Sequence, residues 1–486
     1  MSAIIGAIFD VLYLMTVALT TLYCFYNFVL AVVLLISKKQ PNEGNNCNYK
    51  VTIQLPIYNE KNVVEDLYEH IDRISYPSDL LEIQILDDST DACLNISKKW
   101  MTKWKTEGKD VQLIYRQNRE GYKAGALAAG LSLAKGDYIC IFDADFRPDP
   151  HFLKLVLPVF ADANTAAVQA RWTFANQGQN LLTRLQTLQL NIHFAIEQQA
   201  RYFLHLPLQF NGTCGVWRKT AIQKAGGWEA DTLTENLDLS YRAQLKGWKI
   251  VYLNDVLVPG ELPSDLRSLK IQQHRWMKGG AETAKKLIRR IWSGNFSLIQ
   301  KISATLHLFS SSIYLVMFLM SIVTLPLIFL RPEVIGWRLD ETLNYLPLTL
   351  FALTMIIANI KKDLSFLSQI RSVFESLMLL PFFVAFHLGF SFHNAKAVLS
   401  GWRGIKTPFN RTPKAGVVES EDAPNRSFGR KLEPAYAELI LGIVFALSCF
   451  YDDGNHSFYH FHILCAIGYL SIFVFSFIQT NHYHED

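Results

Sequence analysis

The chain has 486 residues, half of them hydrophobic and 19% charged, and carries a net charge of +4 at neutral pH. So small a basic surplus gives no support to nucleic acid as a partner, and a mean hydropathy just above zero is apolar for a soluble enzyme. The seven cysteines are odd in number, scattered and without paired spacing, which excludes a disulfide framework or a zinc site and suits a reducing cytosol.

The apolar excess lies at the N-terminus and in the last third. Residues 11–36 carry no charge and are long enough to cross a bilayer core of ~30 Å. They exceed the apolar run of a signal peptide, and no small-residue cleavage site precedes Lys38. Residues 1–40 are therefore expected to be a transmembrane anchor. The block 45–260 is mixed in polarity and large enough to bury its own core. Strands are predicted at 50–58, 81–88, 110–116 and 137–146, with helices at about 60–73 and 121–136. Strands alternating with helices predict an α/β fold with a mainly parallel sheet. The stretch TENLDLSYR, 234–242, reads as the start of an amphipathic helix. Residues 264–295 read as basic, amphipathic interfacial helix, with Leu266, Leu269, Ile271, Trp276, Met277, Leu287 and Ile288 among its apolar residues. Further apolar runs at 303–330, 344–360, 372–393, 435–452 and 460–479 predict membrane domains at 300–393 and 435–482, separated by a loop at 394–434.

Basic residues flank the soluble block: Lys38 and Lys39 before it, Lys285, Lys286, Arg289 and Arg290 after it. Both ends are thus expected on the cytoplasmic side. The basic loop 394–434 should be cytoplasmic too, which three full spans between 303 and 393 would forbid. One of those segments is expected to lie in-plane or to re-enter. The tail HYHED and His456, His460 and His462 could suggest metal, but loop-end histidines are more simply solvated.

Ligands of parallel sheets bind beyond the carboxyl ends of the strands. Asp87, Asp88, Asp143 and Asp145 all fall there. One such acid would be a turn or helix cap. Four on one edge repel one another unless a cation or hydrogen-bond donors neutralise them. Asp-x-Asp offers hard oxygens to Mg2+ or Mn2+, which bridges to substrate phosphates. Neither G-x-x-x-x-G-K-S/T nor G-x-G-x-x-G is present, which disfavours P-loop and dinucleotide folds.

QLPIYNE (54–60), ILDDST (85–90), FDADF (142–146), FNGTCGVWR (210–218), TENLDLSYR (234–242) and QQHRW (272–276) together resemble the family 2 glycosyltransferases, specifically the membrane-integrated processive synthases. NREGYKAGAL (118–127) and VQARWTF (168–174) look most like the cellulose-synthase-like A and C type. The resemblance implies a GT-A nucleotide-sugar-binding domain between one N-terminal and about five C-terminal transmembrane or interfacial helices. It implies that Pro56, Tyr58, Glu60, Asp87 and Asp88 line the nucleoside pocket, with Lys123 near the phosphates. It assigns metal to Asp143 and Asp145, the latter foremost, and diphosphate to Gln272 and Arg275. Trp276, Phe210, Asn211, Gly212 and Thr213 would border the acceptor sugar, and TPFNRTPK (407–414) resembles a gating loop.

The implied reaction is inverting transfer of a hexose from a nucleotide sugar, UDP-glucose or GDP-mannose, to a growing β-linked polysaccharide in the bilayer. The implied location is a plasma, inner or Golgi membrane with the catalytic domain in the cytoplasm. Such transfer needs charge stabilisation on the leaving group and a base for the attacking hydroxyl. The family keeps its base where this chain has Asn236, and a neutral amide cannot take the proton. Three readings remain open: an introduced Asp-to-Asn change, a natural chain using Glu235 or Asp238, or a pseudoenzyme. Asp238, two residues on in a helix, would face away. Rival functions are single-sugar transfer to a membrane lipid and a non-catalytic binding subunit.

Overall fold

The computed structural model describes residues 2–36, 48–330, 339–360, 365–407, 412, 435–450 and 458–482. Lys38, Lys39, Cys47, His456, the YHED end and most of the 407–414 segment lie outside them.

Seven strands form one sheet in the order β3-β2-β1-β4-β6-β5-β7. They are β1 (Val51–Ile57), β2 (Leu81–Asp87), β3 (Asp110–Ile114), β4 (Tyr138–Ile141), β5 (Thr165–Phe174), β6 (Gly215–Arg218) and β7 (Lys249–Gly260). β1 to β4 run parallel, β6 is antiparallel to both its neighbours, and β5 and β7 are parallel. The strand sequences are nearly continuously apolar because both faces are covered. Side-chain alternation sorts them. Tyr138, Cys140 and Phe142 point to a core shared with Tyr68 and Trp104, whose helices are Val64–Asp72 and Cys93–Thr106. Ile139 and Ile141 point to the opposite core with Leu127 and Leu239, whose helices are Tyr122–Leu133 and Glu235–Leu245.

The predicted strand 137–146 ends at Ile141. The reason is local: the Asp143 N–H bonds the Thr213 hydroxyl, 2.8 Å away, instead of a neighbouring strand. The Asp-x-Asp pair thus sits on a loop beyond the sheet. A second correction concerns 234–242. Glu235 to Gln244 are all buried, so this helix is not amphipathic. It is clamped between the sheet and the helix Leu266–Ser293, where Gly279 lets Thr234 approach so closely that a Cβ would lie 2.6 Å from its Cγ2.

Among the described residues, four helical segments are long and apolar enough to cross a membrane: Ile4–Ile36, Ser310–Phe329, Phe366–Arg403 and Tyr459–Gln479. The apolar stretch Tyr345–Asn359 is shorter. Its apolar length of about 22 Å falls below the ~30 Å of a bilayer core, although the helix that contains it, Leu339–Asn359, has 21 residues. The helix Phe366–Arg403 runs ten residues into the predicted loop before Gly404, at φ 74°, ends it. His462 is not solvated as expected. It is buried in the helix Tyr459–His482, bonded to Ser448 and Thr324.

Candidate active site

One continuous cavity of about 680 Å³ begins at the carboxyl ends of β1 and β2 beside Pro56, Tyr58 and Asp88. It passes Asp143 and Asn236, then continues among the apolar helices beside Tyr13, Tyr314 and Phe458. A parallel sheet places the first part there, and a gap between helices carries it onward.

At the donor end the crowded acids are neutralised one by one. Arg116 grips Asp88 with two bonds, Nε to Oδ1 at 3.0 Å and Nη2 to Oδ2 at 2.5 Å. Lys123 donates to Asp143 Oδ1 at 2.5 Å and to the Gly212 carbonyl at 3.0 Å. Burial works against the Lys123 ammonium, but the carboxylates of Asp143 and Glu235 outweigh it and raise its pKa. Asp145 is buried against the cavity. Asp143 and Asp145 offer hard carboxylate oxygens two residues apart on one loop, which fits a Mg2+ or Mn2+ ion completed by phosphate oxygens. A different cluster, Glu229, Asp231 and Asp238, has metal-like spacing, but the Lys286 ammonium already sits 2.6, 2.8 and 2.9 Å from its three carboxylates.

Asp87 stands apart from the other acids. It is buried, accepts from Ser89 N and from the Ser97 hydroxyl, and does not line the cavity. Glu60 does line it. Gln272, Arg275 and Trp276 reach the cavity from the helix Leu266–Ser293. Arg275 Nη2 bonds the Thr412 hydroxyl at 3.0 Å and Lys278 bonds Thr407, so this helix holds both described residues of the 407–414 segment.

At the acceptor end, Asn211 and Gly212 line the cavity, while Phe210 and Thr213 stand behind them. Gly212 needs no side chain: at φ +93° its Cα lies against Asn236, and a Cβ would come 3.5 Å from the Asn236 Cγ. Phe210 contributes through its carbonyl, which accepts from Asn236 Nδ2 at 2.8 Å. Glu235 also faces the cavity. Burial raises its pKa, and the nearby cations Lys123 and Arg275 only partly offset this. Asp238 points away, tied to Arg242 at 2.7 Å and to Lys286. The loop ahead is pinned by Leu233 N to Glu282 and by Thr234 to Thr283.

Several cavity residues escaped the sequence reading. Arg119 lies in the noted NREGYKAGAL motif, and its guanidinium stacks 3.2 Å from the centroid of Tyr58. Its Nε is buried without a partner among the described residues. His193 and Glu197 line the cavity near Asn211. Their spacing of four residues was the available signal.

Comparison with known proteins identifies the family. Residues 52–223 match the profile of glycosyl transferase family 2, and residues 138–361 that of glycosyl transferase family group 2. Glucomannan 4-beta-mannosyltransferase 7 of Arabidopsis thaliana is 39% identical over 360 residues, 72% of this chain and 62% of that protein. The chain thus spans less than two thirds of that relative's length. Probable glucomannan 4-beta-mannosyltransferase 3 of the same plant is 35% identical over 468 residues, 88% of this chain and 79% of that protein. A mannosyltransferase from Pyrobaculum calidifontis, solved with GDP-Man and Mn2+, shares the fold with a TM-score of 0.53 at 17% identity, covering 81% of this chain and 100% of its own. The chain belongs to the family 2 glycosyltransferases, in their cellulose synthase-like branch.

Proposed function

We propose that this chain is an inverting, processive β-hexosyltransferase that builds a polysaccharide and passes it into the membrane through its own cavity. The observation that carries this reading is the continuity of that cavity, from the charged strand ends to the space among the apolar helices. A single-sugar transferase needs no such extension. GDP-mannose is the favoured donor, because the relatives are named mannosyltransferases, and UDP-glucose is second.

In this reading, Tyr58, Glu60 and Asp88 hold the nucleoside, and Lys123, Gln272 and Arg275 hold the diphosphate. Arg275 and Lys123 counter the charge that grows on the leaving group. Asp143 and Asp145 would hold Mg2+ or Mn2+, which supplies further positive charge to the diphosphate when bound. Trp276, Asn211 and Gly212 orient the acceptor. Asp87 acts from behind, by fixing the turn that presents Asp88. Asn236 occupies the base position but keeps its amide on the Phe210 carbonyl and takes no proton. Transfer is therefore slow, while donor and acceptor binding remain. The catalytic domain lies on the cytoplasmic face of a plasma, inner or Golgi membrane.

The test offers the purified full-length chain labelled GDP-mannose or UDP-glucose with Mn2+, over long incubations, alongside the N236D variant. A high polymer or a ladder from one donor is expected. One hexose on an extractable lipid would support the single-sugar rival. Donor binding with no transfer by either chain would leave only a binding subunit.

A further inference from the structure

The helix Leu181–Asn191 continues into a π-helical stretch, Ile192–Gln198, before returning to α-helix. Such wide turns are rare and cluster at functional sites. This one places His193 and Glu197 together on the cavity wall, His193 Nδ1 lying 2.9 Å from Glu197 Oε2. The other Glu197 oxygen accepts from Arg201 Nη1 at 3.0 Å and lies 3.7 Å from His307 Nε2. Arg201 is fully buried and also bonds Tyr241, whose hydroxyl meets His307 Nδ1 at 2.7 Å. Burial disfavours the Glu197 charge, but the His193 bond and the Arg201 guanidinium outweigh it, holding its pKa well below the carboxylate range.

Beside a carboxylate His193 Nδ1 donates, and beside an amide oxygen Nε2 must donate too, so both ring nitrogens carry their protons in this arrangement and the ring is fixed. Its other nitrogen, Nε2, lies 3.2 Å from Asn211 Oδ1. The far end of the same carboxamide, Asn211 Nδ2, is buried without a partner among the described residues. The Asn211 backbone is fixed separately, its N–H donating to Gln169 Oε1 at 2.7 Å. One end of this amide is therefore keyed by histidine, and the other keeps its donors unspent in the cavity wall. An amide donor beside a chain of sugar hydroxyls has a ready acceptor.

We propose that the His193–Glu197 pair is a positioning device for the acceptor: it sets the Asn211 carboxamide so that its far end hydrogen-bonds a sugar hydroxyl where the growing chain enters the apolar half of the cavity. The inference rests on the polysaccharide reading above. Neither His193 nor Glu197 reaches the reacting carbon in it. They act through Asn211.

The test measures binding, so it does not depend on turnover. Full-length chain in nanodiscs is titrated with mannohexaose and cellohexaose, and separately with GDP plus Mn2+. For whichever hexaose binds, H193A is expected to weaken affinity about tenfold, the order of one lost hydrogen bond in an enclosed site. Affinity for GDP should stay within about twofold, because the change lies outside the donor end. The double variant H193A/N211A should bind the oligosaccharide no more weakly than N211A alone, since both remove one contact. H193Q, whose amide can still reach Asn211, should recover part of the loss. Unchanged hexaose affinity in H193A, fully additive losses in the double variant, or a parallel loss of GDP affinity would overturn the proposal. Unmodified chain that binds GDP but neither hexaose would overturn the polysaccharide reading along with it.

Discussion

At the donor end of the cavity each engaged acid meets a nearby base, from a loop or a helix start: Asp88 meets Arg116, and Asp143 meets Lys123. At the acceptor end a local pair is tied to distant elements. Glu197 meets His307 and Arg201, Arg201 meets Tyr241, and Asn236 meets the carbonyl of Phe210. The donor end can be satisfied by short motifs near strand ends. In the proposed reading it binds a charged diphosphate, while the acceptor end holds neutral sugar against apolar helices with few polar atoms left to face it. On that reading the first arrangement would govern affinity for a charged group and the second orientation of an uncharged one.

The largest test of this contrast is at position 236. Placing a carboxylate there with N236D should raise the transfer rate by about 10²–10⁴-fold, the usual worth of a general base, and leave GDP affinity unchanged. A carboxylate there cannot donate to the Phe210 carbonyl, so it turns toward the acceptor. Next, K123M and R275A should each cost about 10–100-fold in GDP affinity, because charge-assisted bonds to phosphate are the strong ones. Oligosaccharide affinity in the same variants should hold, and a matching loss would erase the distinction between the two ends. A smaller effect is expected from R119K. It keeps the charge but loses the plane that stacks on Tyr58, so nucleotide affinity measured by titration calorimetry should fall about 3–10-fold.

The smallest effect is one of stability. Burial holds the pKa of Glu235 above its ordinary value in the folded protein. Its ionised form therefore costs stability above that raised pKa, and the cost vanishes below the unfolded value, where both states carry the proton. E235Q should raise the melting temperature of the detergent-solubilised protein at pH 7.5, with the gain shrinking to nothing near pH 4. A gain that persisted at low pH would assign the effect to packing instead.

The donor end was largely legible in the sequence, because parallel strands put their motif residues on one edge and each motif is local. Even there, adjacent Asp87 and Asp88 point to opposite sides of the sheet, and only Asp88 meets the cavity. Arg116 and Arg119 were missed because their partners come from other loops. The anchor and the run of apolar helices could be read from hydropathy. The π-helical stretch could not, since His193 and Glu197 fit an ordinary helix equally well. Phe210 and Thr213 were read as acceptor-facing because their motif neighbours are. The positive φ of Gly212 and Cys214 instead turns the backbone so that only Asn211 and Gly212 face inward.

The most direct measurement of the central claim uses N236D in sealed proteoliposomes, catalytic domain outward, supplied with labelled GDP-mannose and Mn2+. If the cavity joins the donor site to the membrane interior as proposed, labelled polymer should accumulate inside the vesicles, resistant to endo-β-mannanase added outside. Polymer wholly digested from outside, or label confined to a single sugar on lipid, would contradict it.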